Sequence, residues 1–303
     1  MNRRDPEQAR ARAQARFRRG MFLLPSLFTA GNIGAGYFSI TQTIAAIGAN
    51  ADAHTHLDWA AIAILFAIPF DALDGRIARM TNTASDFGKE LDSLADVITF
   101  GVAPSLLAYI WGFYFLPDSL NPELHQHLVQ AGGFISFLFL IGGASRLARF
   151  NISHDAQPRN PGRSDRKYFV GMPIPAAACM LAATVHFFGA YPVEAWWVGV
   201  LWLILVGLCG FLMVSTWRFW SGKEINLGKS HPFQLLFVLS IVIYVALRYS
   251  QGVLFTVALA YMFSGIWARA AYSWQRRRRF PRRPAAVETH GAAASEPGPA
   301  AHS

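Results

Sequence analysis

The sequence predicts an all-α integral membrane protein, a polytopic helical bundle of about eight spans. Three observations carry this. Of 303 residues, 53% are hydrophobic and only 15% charged, and mean hydropathy is positive, a composition outside the range of ordinary soluble domains. Eight apolar stretches approach the ~20 residues that a spanning helix needs. They cover 27–49, 57–79, 93–116, 129–150, 173–191, 195–215, 232–248 and 250–272. Finally, the basic residues fall in alternate connections between these stretches.

The first stretch is the weakest, broken by Gly31, Asn32, Gly34 and Gly36. The last two are separated only by Arg248-Tyr249-Ser250, so they form a tight hairpin. Net charge is +9, with seven arginines within residues 3–19 and six within 276–283. The connection 151–171 carries Arg159, Arg163, Arg166 and Lys167, and 216–231 carries Arg218, Lys223 and Lys229. In contrast, 50–56, 117–128 and 191–194 contain no Lys or Arg. An N-inside start places every basic segment on the cytoplasmic side except Arg248, so both termini are expected there, in a multi-pass inner-membrane protein.

Three regions follow: a basic juxtamembrane segment 1–21, a membrane domain 22–275, and a basic tail 276–303 whose end is expected to be disordered. The arginine runs suit topology signals and anionic-lipid attraction. They lack the interleaved aromatics of a nucleic-acid surface, so no nucleic-acid partner is expected. Cys179 and Cys209 fall inside spans as small apolar residues, and no signal peptide is evident.

The chemistry concentrates at the end of the second span. On a helix, Asp71, Asp74, Gly75, Ala78 and Arg79 fall at i, i+3, i+4, i+7 and i+8, a single stripe. Gly88, Asp92 and Asp96 form a second stripe at i, i+4 and i+8. Two such stripes joined by a short turn can face each other, surrounding one cavity with carboxylates. Like charges so close need compensation. Hard divalent cations supply it, and Mg²⁺ in particular combines one or two carboxylates with substrate phosphates. Gly75 and Gly88 would let a bulky ligand approach the backbone, and Arg79 would face phosphate oxygens. The pattern therefore points to two-metal phosphoryl transfer. The plain alternative is a set of inter-helix salt bridges.

The arrangement D-x2-D-G-x2-A-R-x8-G-x3-D-x3-D resembles the signature of the CDP-alcohol phosphatidyltransferase family, with every fixed position present. The resemblance implies Asp71, Asp74 and Asp92 as ligands of two divalent cations, Mg²⁺ or Mn²⁺. It implies Asp96 as both ligand and general base. Gly75, Ala78, Arg79 and Gly88 would line the CDP site together with Asp71, and Ser85 is a weaker candidate. Thr29 and Asn32, polar at the start of the first span, would either meet the diphosphate or serve as helix-start hydrogen-bonding groups.

Further segments resemble bacterial and archaeal phosphatidylserine synthases: 24–32, 96–104, 145–151, 171–177 and 213–219, with Ser26 where the related opening usually carries Asn. This implies CDP-diacylglycerol as donor, serine as acceptor, membrane lipids as surroundings and a homodimer. Arg146, Arg149, Asn151 and Arg218 are candidates for the serine site, since Arg suits bidentate carboxylate recognition; positive-inside anchoring is the alternative. Arginine clusters equally suit glycerol 3-phosphate or an inositol phosphate, while choline would favour an aromatic cage. Carboxylates in spans also mark cation transporters, but here they gather at one interface rather than across the membrane. His54, His56, His125 and His127 form external i, i+2 pairs that are expected to be solvated. The glycines 31, 34, 36, 142 and 143 permit close helix packing, within one chain or between two.

Overall fold

A computed structural model describes residues 6–81, 86–117, 121–152, 168–220 and 250–279. Nearly all of them are helical. The α-helices are α1 (Pro6–Gly48), α2 (Ala53–Thr81), α3 (Asp86–Asp96), α4 (Ala103–Tyr109), α5 (Pro122–Ile152), α6 (Ile174–Phe187), α7 (Trp196–Val214) and α8 (Ser250–Arg279). Four segments among the described residues are long and apolar enough to cross a membrane: Ala53–Ala72, Phe87–Tyr114, Pro122–Ile152 and Trp196–Val214. Ile174–Phe187 and Gln251–Trp267 are apolar but shorter. The expected span 232–248, Ser85 and the tail beyond Arg279 lie outside the described residues.

The first expected span is the second half of the 43-residue helix α1. Its weak hydropathy has a simple cause. The inward face carries Thr29, Asn32, Gly36, Ser39 and Thr43, all buried, while Leu27, Tyr37, Phe38 and Ile44 point outward. Small and polar residues face the protein and large apolar ones face the lipid position, as expected of a helix whose outer solvent is hydrocarbon.

Helix α6 sits at the centre. Ten of its residues, from Ile174 to His186, are buried on every side of the helix. Ala177, Ala178, Ala182 and Ala183 of α6 and Ala60, Ala61, Ala63 and Ala67 of α2 belong to the buried set, and the two helices pack together. Small side chains allow that backbone approach. Between α5 and α7 the approach is also close: a Cβ on Gly142 would lie 3.0 Å from the Gly210 carbonyl oxygen. A Cβ on Gly143 would press on Ile174. These two glycines are therefore used inside the chain.

Two features were not expected. The Phe87–Tyr114 segment is not a uniform α-helix, because π-helical turns occupy Val97–Val102 and Ile110–Tyr114. The Ala103 N–H donates to the Ile98 carbonyl, five residues back, just before Pro104. Proline has no N–H and its ring crowds the carbonyl four residues earlier, so a widened turn relieves the clash. The second is an antiparallel ribbon, β1 (Tyr168–Val170) with β2 (Arg218–Trp220), pairing Phe169 with Phe219. Beside it the Gly171 N–H donates to the Trp217 carbonyl at 2.8 Å, and Met172 N–H to Leu212 at 3.0 Å. Gly171 has φ +77°, and a Cβ there would collide with the Met213 carbonyl, so glycine is required twice over.

At the start of α2 the histidines have protein partners. His56 Nδ1 lies 2.7 Å from Gln42 Oε1, and His54 stacks on Tyr191 at 4.6 Å between ring centroids. His186 of α6 pairs with Asp58 at 2.5 Å.

Candidate functional site

The site lies at the other end of α2. Asp58 and Asp71 are thirteen residues apart on that helix, roughly 20 Å at 1.5 Å per residue. Pro69, inside α2, removes one ladder hydrogen bond just before Asp71. Phe70 next to it is held by Phe66 at 5.1 Å and by Phe28 of α1 at 6.1 Å. A Cβ on Gly31 would already touch the Phe70 ring at 3.3 Å, so α1 lies close against this stretch.

The same helix clamps the second stripe. The Thr99 hydroxyl donates to the Asn32 carbonyl at 2.9 Å, and a Cβ on Gly36 would lie 2.9 Å from the Thr99 Cα. Helix α1 thus touches both carboxylate-bearing segments and sets their spacing. The outcome is convergence: one carboxylate oxygen from each of Asp71, Asp92 and Asp96 lies within 4.8 Å of the other two. Asp71 shares a hydrogen bond with Asp96 and feels Asp92 electrostatically. Asp96 is only 9% exposed. It is the last residue of α3, directly before the first π-turn.

Three buried or half-buried carboxylates so close repel one another, and sharing a proton relieves only part of that. Three hard oxygen donors with this mutual spacing fit a divalent cation. Among the described residues they form the one such cluster of His, Cys, Asp or Glu. The histidines at the start of α2 form none.

The remaining sequence candidates fall as follows. Asp74, Gly75, Ala78 and Arg79 continue on α2 beyond Asp71, with their side chains outside the described set, and Gly88 lies in the first turn of α3. On α1, Thr29 is 5% exposed and Asn32 fully buried, three residues apart on the inward face. Neither amide atom of Asn32 has a hydrogen-bond partner among the described residues. A buried primary amide left so is destabilising unless something polar reaches it.

The four serine-site candidates separate. Asn151 donates to the Ser93 hydroxyl at 2.8 Å, tying the end of α5 to α3 between Asp92 and Asp96. Arg149 is exposed and donates to the Val214 carbonyl at 3.4 Å. Arg218 lies in β2 with its side chain outside the described set. Arg146 interacts electrostatically with Asp96, and also with Tyr261 of α8 and with Arg149. Its Nε is buried with no acceptor among the described residues.

Sequence reasoning missed Thr99, Ser93 and Tyr261. Thr99 and Ser93 have no distinguishing local signal, since serine and threonine are common within spans. Tyr261 lies in an apolar stretch where a tyrosine resembles an interfacial anchor. It stacks on Phe219 and interacts electrostatically with Arg146.

The comparisons with known proteins agree with this geometry. The CDP-alcohol phosphatidyltransferase family model matches residues 22–201, which contain both stripes. A Helicobacter pylori protein named CDP-diacylglycerol–serine O-phosphatidyltransferase is 39% identical over 222 residues, 73% of this chain and 82% of its own length. Proteins of the same name from Bacillus subtilis and Methanocaldococcus jannaschii are 32% identical over 201 residues and 38% over 152. The first alignment covers 66% of this chain and 90% of the relative, the second 50% and 59%. With the aspartate constellation in place and the family model matching more than half its length, the chain belongs to the CDP-alcohol phosphatidyltransferase family.

Proposed function

We propose that this protein is a CDP-diacylglycerol–serine O-phosphatidyltransferase, making phosphatidylserine and releasing CMP. The observation that carries the reading is the convergence of Asp71, Asp92 and Asp96 within a complete family signature. The names of the relatives support serine as acceptor.

Asp71, Asp74, Asp92 and Asp96 would hold two divalent cations, Mg²⁺ or Mn²⁺. When bound, these would neutralise the donor diphosphate and the charge that develops during transfer. Arg79, with Gly75, Ala78 and Gly88 leaving room at the backbone, receives the CDP moiety; Ser85 lies between the stripes in sequence. Thr29 and Asn32 would meet the donor diphosphate from α1, and the Asn32 amide, without a partner among the described residues, supports this role. Asp96 takes the proton of the serine hydroxyl. The hydroxyl oxygen then bonds to the lipid-bearing phosphorus, and the bond from that phosphorus to the CMP oxygen breaks, CMP leaving with the electron pair. Arg146 receives the serine carboxylate; Arg149, Asn151 and Arg218 shape the surrounding segments.

The arginine distribution supports an inner-membrane, multi-pass arrangement of eight spans with both termini and the site cytoplasmic. The basic ends 1–21 and 276–303 flank a catalytic membrane domain, 22–275, and would meet anionic lipid. The open face at Gly34, where a Cβ would meet nothing within 4 Å, is available to a second copy in a homodimer. The test is CMP release by purified full-length protein given CDP-diacylglycerol, Mg²⁺ or Mn²⁺, and labelled serine, glycerol 3-phosphate, inositol phosphate or choline in turn. Serine alone should support turnover. Release with another alcohol but not with serine would overturn the assignment.

A further inference from the structure

Helix α3 carries two of the three convergent carboxylates, yet little in its own make-up holds it in place. It has eleven residues, a length at which a helix is marginal without tertiary support. Phe87, Lys89, Glu90 and Leu94 are exposed, and from Phe87 onward only Ala95 and Asp96 are buried. Oxygens of Asp71, Asp92 and Asp96 lie within 4.8 Å of one another, so like charge acts to push α3 away from α2.

Helix α5 is the opposite case. Leu128, Gly132, Ser136, Phe139, Gly143 and Leu147 are buried at spacings of three and four, a continuous packing face. A Cβ on Gly142 would lie 3.0 Å from the Gly210 carbonyl oxygen of α7, and one on Gly143 would press on Ile174 of α6. At its end, Arg149 donates to the carbonyl of Val214, the last residue of α7, at 3.4 Å. The next position of the packing face, four residues after Leu147, is Asn151: an amide where the stripe has been apolar or small.

That amide engages α3. Asn151 Nδ2 donates to Ser93 Oγ at 2.8 Å, and Ser93 Oγ donates to the Lys89 carbonyl, four residues back in α3, at 3.0 Å. The serine hydroxyl has its hydrogen committed within its own helix and a lone pair open to Asn151. Ser93 follows Asp92 directly and precedes Asp96 by three residues, so the contact falls in the turn that carries both carboxylates. It lies about 100° round the helix from Asp92 and about 60° from Asp96, on their flank. The Thr99 hydroxyl, donating to the Asn32 carbonyl at 2.9 Å, fixes the segment after Asp96; Asn151 fixes the carboxylate turn itself.

We infer that Asn151 and Ser93 are positioning residues for the divalent-cation site: their hydrogen bond anchors α3 to the well-docked α5 and holds Asp92 and Asp96 at binding distance from Asp71 before a cation arrives. The inference rests on the proposed function, in which these carboxylates hold the metals. Loss of the bond weakens metal affinity, because the cations must then draw α3 into place, whereas the fully loaded protein regains the same site.

The test is Mn²⁺ titration of purified full-length protein without substrates, followed by loss of the free-ion electron paramagnetic resonance signal. It compares wild type with Asn151→Ala, Ser93→Ala, the double variant and Ser93→Thr. Each alanine variant should raise the Mn²⁺ dissociation constant about fivefold, the effect of one neutral hydrogen bond. The double variant should match the single ones, since each removes the same bond. Ser93→Thr, which keeps the acceptor hydroxyl, should bind Mn²⁺ as the wild type does. At saturating Mn²⁺ the KM for serine should stay within about twofold throughout, which separates positioning of the metal site from contact with the acceptor. The alanine variants lie on different helices, so misfolding of one leaves the other as the test. Unmoved Mn²⁺ affinity in the alanine variants, losses that add in the double variant, a threonine variant no better than alanine, or a raised serine KM at saturating Mn²⁺ would overturn the inference alone. Failure of the wild type to bind Mn²⁺ would overturn the functional reading along with it.

Discussion

Helix α2 carries a carboxylate near each end, and the two are treated in opposite ways. Asp58 is matched with one basic partner, His186 of α6, in a contact that ties two helices together. Asp71 is placed against two more carboxylates, Asp92 and Asp96. A carboxylate hydrogen-bonded to an imidazole holds a fold; converging carboxylates oppose it and persist only where a cation or a reaction needs them. The same residue type on one helix is thus structural at one end and chemical at the other, and the neighbours decide which.

The contrast breaks most decisively at Asp96. Asp96→Asn should lower kcat on the order of 10³-fold, within the range of a lost general base, while CDP-lipid binding by the purified protein is largely retained. Near-wild-type turnover would remove the base from Asp96. Asp71→Asn should act through the metal instead. The Mn²⁺ concentration for half-maximal activity should rise about tenfold or more, the loss of a charged ligand being worth at least ~1.4 kcal/mol. Full removal of divalent ions by a chelator should abolish turnover, with recovery on adding Mn²⁺ or Mg²⁺; activity that persists in chelator would sink the metal site.

Between the two ends, packing should show in stability rather than rate. Gly171→Ala combines a left-handed backbone with a collision against the Met213 carbonyl, so a loss of about 1–3 kcal/mol is expected in unfolding experiments. The smallest effect should come at Asp58. Asp58→Asn keeps a hydrogen-bonding group facing His186, and we expect about 1 kcal/mol of lost stability with kcat and both KM values unchanged. A large fall in kcat there would mean that the two ends of α2 are coupled and that the distinction is wrong.

The carboxylate end was legible in the sequence because helical periodicity is local. The positions of Asp71, Asp92 and Asp96 within their stripes require only that 71–79 and 88–96 be helical, and they are. The facing of the two stripes depended on a non-local element, α1, whose Gly31 and Gly36 fix the distance through Phe70 and Thr99. Glycine spacing signalled close packing without naming the partner. The segments 171–177 and 213–219 carried separate resemblances, and their relation, a shared set of backbone hydrogen bonds beside a ribbon, has no expression in either one alone.

The π-turn after Asp96 carries a consequence for how this region tolerates insertions and deletions. A π-turn acts like an extra residue accommodated within an α-helix. Deleting one residue from 97–102 would let the widened turn close to an ordinary α-turn, with the helix on either side near its present phase and Asp92 and Asp96 still facing Asp71. The same deletion in the regular α-helical stretch Ala103–Tyr109 would rotate one side against the other by about 100°, one residue's share of a helical turn. Hydropathy would register neither change, and only the second would pull the carboxylates out of register with the rest of the bundle.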